Sequence, residues 1–338
     1  MKKVVKKENI LIVCILAIVS AFVFFSVTQP RNITIANGGN IFSFFKNPFT
    51  KDSKNILILG MTGSGNNGSL LTDAILFVNL DFVKKKVNLI SIPRDLLIQI
   101  PGSSRYVKIN GLLAEDNTNR KVRKDKNGVM QWFNIEKWGL IKTKVEEITA
   151  LKVDNVAVVD LDGFRYFIDA LGGINVYLDK AIADPNLSNP DEPAEIFKLE
   201  AGWNYLDGKK AAKFVRSRFG PTGDFYRIGH QHDLLAAIFQ KLKSLNNLSN
   251  VKGLLDIWNS WKGYLFTDIS TNDGIGLAKF GNELNQDDIK FITISYSKPD
   301  QLLVNPGQSD FGYILTPKDG VENYTGIREY INQKINEK

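Results

Sequence analysis

The chain contains very few of the residues that build zinc sites and disulfide frameworks. Its 338 residues include one cysteine and two histidines. A structural zinc site usually takes four cysteine or histidine ligands, and a disulfide needs two cysteines. Cys14, which lies in an apolar run, has no second cysteine to pair with. A structural zinc site and an intramolecular disulfide are therefore both excluded.

Acidic residues are also fewer than basic ones, 36 against 43, which gives a formal net charge of +7. A basic chain raises the question of nucleic-acid binding. However, Lys2, Lys3, Lys6 and Lys7, set against Glu8, account for three of the seven excess charges. The remainder is small and spread over a chain with the composition of an ordinary folded protein. We therefore predict no nucleic-acid partner.

One apolar run is long enough to cross a membrane. Residues 10–27 are eighteen positions without a charge, close to the minimum for a bilayer's hydrocarbon core. A cleaved signal peptide is the alternative, but the following residues offer no small-x-small cleavage site, which favours a retained transmembrane helix. The lysines before the run predict that residues 1–9 form a basic cytoplasmic tail and that the rest of the chain is extracytoplasmic. Residues 28–50 are predicted to be a linker.

Predicted strands and helices alternate after residue 50. The strands are Asn55–Gly60, Ala74–Leu80, Lys86–Ile92 and Val156–Val159, and the helices are Val145–Leu151 and Phe164–Leu171. This alternation predicts an α/β fold in which helices cover a central mixed β-sheet. We assign residues 51–245 to one main domain. Residues 246–338, where Asp287–Ser295 is the clearest strand, are interpreted as a C-terminal extension of the same domain.

The second and third strands form a predicted hairpin that brings an acidic and a basic residue together. Asp73 opens the first of these strands, and Arg94 follows the end of its partner. Because antiparallel strands joined by a short turn place these two ends at the same edge, we expect Asp73 and Arg94 to be neighbours. A surface ion pair is the simplest alternative interpretation.

A second polar group lies further along the chain. If the stretch containing Arg216 and Arg218 is extended, both side chains share one face about 6.6 Å apart. Two guanidinium groups so placed can bind adjacent phosphates through bidentate hydrogen bonds. Asp224, Arg227 and Gln231 have helical spacing on one face, with Asp224 as the predicted N-cap. The alternative is a cap residue beside a rim of solvated arginines.

The same positions carry the successive motifs of a known family. The chain resembles the LytR-CpsA-Psr (LCP) family between residue 55 and about residue 245. The resemblance rests on Asn55-Ile56-Leu57-Ile58-Leu59-Gly60, Thr72-Asp73, Ser91-Ile92-Pro93-Arg94-Asp95, Lys108-Ile109-Asn110, Gly163-Phe164, Asp169-Ala170-Leu171-Gly172-Gly173, Arg216-Ser217-Arg218 and Asp224-Phe225-x-Arg227-x-x-x-Gln231.

The resemblance implies both a location and a reaction. Members of the family are membrane-anchored, extracytoplasmic, magnesium-dependent phosphotransferases. They move a glycopolymer from a polyprenyl-pyrophosphate carrier to a cell-wall acceptor, usually a peptidoglycan hydroxyl, while the lipid lies in an apolar groove of the α/β core. The resemblance thus makes residues 51–245 a catalytic domain and gives it Mg²⁺ as cofactor.

The resemblance also assigns roles to individual residues. Asp73 matches the acidic residue beside the metal. The residues that match the pyrophosphate-binding arginines are Arg94, Arg216, Arg218 and Arg227, and the matching polar residues of the same pocket are Lys108 and Gln231. Since arginine cannot accept a proton, a carboxylate must do so if any group does, and Asp224 is the candidate. Asp73, Arg94 and Asp224 are therefore the predicted catalytic residues.

Three positions depart from the family pattern. Leu71 and His230 stand where the family commonly has arginine, and Met61-Thr62 stand where it has an acidic residue. These departures leave two functions open: a transferase, or a non-catalytic membrane-anchored module that binds a polyprenyl-phosphate glycan or regulates its use. Hydrolysis of the pyrophosphate at the same site is a third possibility.

Overall fold

The computed structural model describes residues 51–61, 71–116, 121–124, 130–133, 138–185, 187, 196–218, 224–245, 265–297, 299–307 and 309–337. The predicted cytoplasmic tail, transmembrane helix and linker, together with Thr62, lie outside these residues. Within them, no helix combines the length and the apolar character that membrane crossing requires.

The helices and strands of the described residues alternate along much of the chain. The strands are β1 (Ser53–Met61), β2 (Thr72–Asp81), β3 (Lys86–Ser91), β4 (Leu97–Gln99), β5 (Tyr106–Lys108), β6 (Lys121–Lys124), β7 (Met130–Phe133), β8 (Asn155–Asp160), β9 (Ile174–Leu178), β10 (Ile182–Asp184), β11 (Phe197–Leu199), β12 (Gly202–Leu206), β13 (Leu265–Thr267), β14 (Ile289–Thr293), β15 (Leu303–Val304) and β16 (Thr316–Pro317). The α-helices are α1 (Leu112–Asp116), α2 (Gly139–Thr149), α3 (Leu161–Ala170), α4 (Gly208–Phe214), α5 (Asp224–Leu245), α6 (Thr271–Glu283) and α7 (Thr325–Asn336).

The described residues divide into two compact units. The sheet unit contains the described residues of 53–161, 265–269 and 291–337, and the arginine unit contains the described residues of 51–52, 162–264 and 270–290. The sheet unit carries Asp73, Arg94 and Lys108. The arginine unit carries the second polar group.

The sheet unit is built on a six-stranded sheet of order β13-β8-β1-β2-β3-β14. β1 is parallel to β8 and antiparallel to β2, so the sheet is mixed, as the sequence predicts. Ile56, Leu57 and Leu59 in β1 are fully buried. A strand that is apolar on both faces is stable only where both faces are covered, which explains its central position.

The β2–β3 hairpin confirms the predicted pairing and places Asp73. The strands are antiparallel, and Asp81 pairs with Lys86 beside the turn that joins them. At the other end of β2, Gly60 pairs with Ala74 while Met61 pairs with Thr72, so the register shifts by one residue at Asp73. Such a bulge bends the strand and redirects a side chain at the edge of the sheet.

The predicted helices are present, with extended boundaries. The segment predicted as Val145–Leu151 is α2, which begins at Gly139, and the segment predicted as Phe164–Leu171 is α3, which begins at Leu161. The predicted strand Asp287–Ser295 is shorter, because a 3₁₀ turn at Gln286–Asp288 precedes β14.

A buried ionic network holds the C-terminal residues in the sheet unit. Lys144 of α2 is 2% exposed, and its Nζ lies 2.7 Å from Oε2 of Glu322. The other carboxylate oxygen, Oε1, accepts hydrogen bonds from the backbone amide of Gln99 at 2.7 Å and from the hydroxyl of Tyr324 at 2.9 Å. These contacts join the chain before α7 to α2 and β4.

The arginine unit contains two small antiparallel strand pairs, β9 with β12 and β10 with β11, together with α3, α4, α5 and α6. Its core includes Phe167, Ile174, Phe214 and Leu234. Glycine commonly follows the last turn of a helix, so the pair Gly172-Gly173 in the sequence predicts the end of the second helix, and α3 ends just before it. Gly172 and Gly173 have φ angles of +74° and +73°, which L-residues rarely adopt.

Candidate functional site

Asp73 and Arg94, which the hairpin predicts to be neighbours, are in contact in the structure. Arg94 Nη1 forms an ion pair with Oδ1 of Asp73. The two side chains are 14% and 23% exposed, so the pair is accessible from solvent at the edge of the sheet. The hairpin argument from the sequence is therefore confirmed for these two residues.

Asp95 links this pair to Lys108. Its Oδ2 lies 3.5 Å from Arg94 Nε, and its Oδ1 accepts a hydrogen bond from Lys108 Nζ at 3.1 Å. The Asp95 side chain is 11% exposed, which reduces screening by water. The sheet unit thus has an alternating series of charges in which two carboxylates orient two cations.

Backbone hydrogen bonds fix the two segments that carry these charges. The Ile109 amide donates to the Leu96 carbonyl at 2.8 Å, and the Asn110 amide donates to the Arg94 carbonyl at 3.3 Å. The Asn110 carbonyl accepts from the hydroxyl of Thr72, a fully buried residue beside Asp73. Thr72 and Asn110 are therefore structural supports of the motif residues.

A further carboxylate, which the sequence analysis did not identify, lies at the same edge of the sheet. Asp160 ends β8, is 2% exposed, and is aligned with Met61, which is also aligned with Thr72. The signal in the sequence was an aspartate directly after the apolar run Val156–Val159. Side chains of aligned residues on adjacent strands lie on the same face of a sheet.

The donor set for a metal is small. Among the described residues, no group of three or more His, Cys, Asp or Glu side chains is placed to hold a metal ion. Mg²⁺ commonly binds proteins through one or two carboxylates and takes its other ligands from water and substrate phosphates. The partly exposed Asp73 fits a magnesium site of that kind, in which substrate completes the coordination.

The arginine unit corrects one structural expectation. Arg216 and Arg218 do not lie on a strand, because α4 ends at Phe214 and is followed by a turn. The Val215 amide donates to the Ala211 carbonyl, and the Arg216 and Ser217 amides both donate to the Lys213 carbonyl. These bonds continue the winding of the helix, so the spacing of about 6.6 Å expected for a strand does not apply.

Between the two arginines, Ser217 points into the unit. It is fully buried, and its hydroxyl donates to Oδ2 of Asp184 at 2.7 Å. The same carboxylate oxygen accepts from the backbone amide of Arg218 at 3.3 Å. Asp184 was missed in the sequence analysis. The signal was a carboxylate two positions after Ile182 in a short alternating strand, where Ile182 is buried and Ala183 is exposed.

α5 carries the remaining predicted residues of this group. Arg227 is 2% exposed and is among the largest fully buried side chains of the described residues. Gln231, one helical turn further on, lies with its Nε2 3.5 Å from the Val215 carbonyl. α5 begins at Asp224, so that residue starts the helix as predicted, but its side chain lies outside what the structure describes.

His230 stands where the family commonly has an arginine, and it is buried between aromatic rings. Its ring stacks on Phe214 at 4.5 Å between centroids and meets the edge of Tyr226 at 4.4 Å. Burial lowers its pKa to about 4, although hydrogen bonds to the Ser217 and Phe214 backbone and the charge of Asp184 act in the opposite direction. His230 is therefore neutral at pH 7 and does not replace the positive charge of an arginine.

Comparison with known proteins decides the family. The model of the LytR_cpsA_psr family matches residues 32–313. The chain belongs to this family. The match extends the LCP region beyond residue 245, where the sequence motifs end, and includes most of the described C-terminal residues.

Two relatives of this LCP protein illustrate the family. It is 27% identical over 259 residues to the regulatory protein MsrR of Staphylococcus aureus. The aligned region covers 74% of this chain and 67% of MsrR. It is 25% identical over 256 residues to the polyisoprenyl-teichoic acid–peptidoglycan teichoic acid transferase TagV of Bacillus subtilis. The aligned region covers 75% of this chain and 58% of TagV.

The fold also agrees with a solved LCP structure. The crystal structure of B. subtilis TagV matches 86% of this chain and 100% of the TagV chain with a TM-score of 0.60 at 22% identity. The mixed sheet with helices is therefore the LCP fold.

Proposed function

We propose that this LCP protein is a membrane-anchored, extracytoplasmic phosphotransferase. It transfers a glycopolymer from a polyprenyl-pyrophosphate carrier to a cell-wall acceptor hydroxyl, with peptidoglycan as the favoured acceptor. The observation that carries the proposal is the family match over residues 32–313, which includes the motif arginines and Asp73. TagV, a relative by sequence, is named for the transfer of teichoic acid to peptidoglycan.

The charged residues support phosphoryl transfer by positioning and neutralisation. The transition state spreads negative charge over the phosphoryl oxygens, so cations that are already in place lower the barrier. Arginines bind these oxygens with a planar fork of N–H donors. In the proposal, Arg216, Arg218 and Arg227 of the arginine unit bind the pyrophosphate. Arg94 and Lys108 of the sheet unit are cations that Asp95 holds in place.

Magnesium is part of the proposal. Asp73 would hold Mg²⁺ together with water and phosphate oxygens, because Mg²⁺ prefers oxygen ligands and retains several waters. Once bound, the ion would neutralise charge on the phosphates. Because Arg94 also pairs with Asp73, we expect weak binding of magnesium that is lost in Asp73→Asn. Unchanged magnesium affinity in that variant would rule out Asp73 as a ligand.

Asp224 is the proposed acceptor of the proton from the attacking hydroxyl. It is a carboxylate at the first residue of α5, on the same helical face as Arg227 and Gln231 by spacing. Transfer by Asp224→Asn should fall while its affinity for the carrier substrate is largely kept, since proton acceptance contributes typically 10²–10⁴-fold to rate.

Transfer is the decisive measurement. The full chain, with a short-chain polyprenyl-pyrophosphate glycan, a peptidoglycan oligomer and magnesium, should release polyprenyl phosphate and label the acceptor. Arg218→Ala should lose about 10- to 100-fold in binding, because charge-assisted hydrogen bonds contribute roughly 1.5–3 kcal/mol. Arg165→Ala is the matched control, since Arg165 is another exposed arginine of the same unit, 45% exposed and paired with Asp162.

A non-catalytic binding module is the second candidate. The neutral, buried His230 and the apolar Leu71 favour it, because each replaces a cation that the family commonly has. A chain that binds the carrier substrate in an Arg218-dependent manner, yet neither labels peptidoglycan nor releases polyprenyl phosphate, would establish that function. Release without labelling would indicate hydrolysis instead.

A further inference from the structure

Asp184 is a buried carboxylate at a point where packing alone would favour an apolar residue. It ends β10 and is 3% exposed. Placing a carboxylate in the protein interior is costly unless hydrogen bonds compensate for its lost hydration. Here Oδ2 accepts two such bonds, from the Ser217 hydroxyl at 2.7 Å and from the Arg218 amide at 3.3 Å.

The stability of α4 does not explain why a carboxylate lies near the C-terminal end of that helix. Ser217 and Arg218 follow the C-terminal end of α4. The helix macrodipole disfavours negative charge at that end. A residue selected only to stabilise α4 would therefore be neutral or basic. Two hydrogen bonds that Asp184 accepts come instead from the Ser217 hydroxyl and the Arg218 backbone amide. Arg218 belongs to the predicted pyrophosphate-binding group.

Ser217 separates the two arginines and fixes the chain between them. It is fully buried, and its amide donates to carbonyls of the last turn of α4, from Lys213 and Phe214. With its hydroxyl bound to Asp184 as well, both the backbone and the side chain of Ser217 are held. The directions in which the chain arrives from Arg216 and leaves towards Arg218 are thus set by a residue that points inward.

We propose that Asp184 is a positioning residue for Arg216 and Arg218, acting through Ser217 and the Arg218 amide, when these arginines bind a pyrophosphate group. The inference rests on the proposed function, because it assumes that the arginines bind the pyrophosphate of the substrate. Preorganised arginines bind more tightly because less side-chain and backbone entropy is lost on binding.

The test is binding of inorganic pyrophosphate to the full chain, measured by calorimetry, with the melting temperature recorded for each variant. Asp184→Ala removes both hydrogen bonds and should weaken binding about 10- to 100-fold, the range seen when groups that orient ligating side chains are removed. Asp184→Asn keeps an oxygen acceptor in the same place and should recover most of the affinity. Ser217→Ala deletes only the hydroxyl and should weaken binding in the same direction.

Asp207→Ala is the matched control for a general loss of stability. Asp207 caps the opposite end of α4, where its side chain accepts from the Lys210 amide at 2.7 Å. Loss of an N-cap destabilises a helix, because one of its first amides is left without an acceptor. It should lower the melting temperature and leave pyrophosphate affinity unchanged, because the turn at the other end of the helix keeps its contacts.

The outcomes separate this inference from the proposed function. Affinity in Asp184→Ala and Ser217→Ala equal to that of the unaltered chain, while Arg218→Ala is weakened, would overturn the positioning role alone. Equal losses in Asp184→Ala and Asp207→Ala would also overturn it, since stability would then explain both. Full affinity in both Arg216→Ala and Arg218→Ala would contradict the proposed function itself. If Asp184→Ala does not fold, Ser217→Ala and Asp184→Asn decide.

Discussion

Arg227 differs from Arg218 in its burial. Arg218 is exposed, whereas the Arg227 side chain is 2% exposed and fills part of the interior of the arginine unit. From the sequence alone, substitution of the motif arginines is expected to leave folding nearly unchanged, because exposed ion pairs contribute little to stability. The burial of Arg227 contradicts the premise of that expectation, since a large buried side chain contributes packing as well as charge.

We therefore expect Arg227→Ala to lower stability in addition to any effect on ligand binding. Truncation of a large buried side chain leaves a cavity and costs about 2 kcal/mol or more. For a chain of this size that corresponds to a fall of roughly 3 °C or more in melting temperature. Arg218→Ala is the comparison, and its melting temperature should change little. Equal melting temperatures for the two variants would contradict a packing role for Arg227.

His230 predicts a dependence of stability on pH. Burial lowers its pKa to about 4 from an ordinary value of 6.5, so the unfolded state binds the proton more tightly than the folded state. Stability from the neutral ring is complete above about pH 6.5 and is lost as the pH falls towards 4, by up to about 3 kcal/mol. His230→Phe should show a smaller fall in melting temperature between pH 7 and pH 5 than the unaltered chain.

His232 provides the control for this measurement. Burial also lowers its pKa to about 4, and it lies on the same helix. His232→Phe should therefore remove its own part of the pH dependence, and the double variant should remove both. If the double variant is as sensitive to pH as the unaltered chain, carboxylates rather than histidines control acid stability.

At the scale of elements, the end of α3 depends on two adjacent glycines for different reasons. Both have φ near +74°, so alanine at either position carries the strain of a left-handed residue. A Cβ on Gly173 would also overlap the ring of Tyr205, whereas a Cβ on Gly172 would meet only Lys241 Nζ at 3.8 Å. The hydroxyl of Tyr205 donates to the Gly172 carbonyl, which keeps the ring against the turn.

Gly173→Ala should thus destabilise the protein more than Gly172→Ala does. For Gly172→Ala we expect a loss of about 1–2 kcal/mol in the free energy of unfolding, from backbone strain alone. Thermal unfolding of both variants measures the difference. In Gly173→Ala/Tyr205→Ala the overlap is gone, and the added effect of alanine at 173 should fall to that of Gly172→Ala. A cost for Gly173→Ala that does not depend on Tyr205 would show that strain is the whole effect.

For the whole molecule, the order of charge and hydrophobicity at the N-terminus predicts orientation. Lysines precede residues 10–27, so we expect the chain beyond residue 50 to face outward. Protease added to intact spheroplasts should digest that part while a cytoplasmic marker protein is spared. Protection of residues 51–338 until the membrane is lysed would show the opposite orientation.

Local sequence patterns determined much of the fold. The apolar run before Gly60 predicts β1, and the polar turn between two β-rich runs predicts the β2–β3 hairpin with Asp73 near Arg94. The glycine pair predicts the end of α3. Each of these features depends on residues close in sequence. Their periodicity and backbone preferences predict structure without knowledge of the distant residues that pack against them. The family motifs are local strings of the same kind.

Only the tertiary structure decided the features that join distant residues. Asp184 and Ser217 are 33 positions apart, and their hydrogen bond holds a turn where the sequence suggested a strand. The two edge strands of the main sheet, β13 and β14, come from the C-terminal part of the chain. The burial of Arg227 and of His230 likewise depends on what packs over α5. Desolvation and hydrogen bonding are set by the groups that surround a side chain after folding. The neighbours of that side chain along the sequence therefore do not predict either quantity.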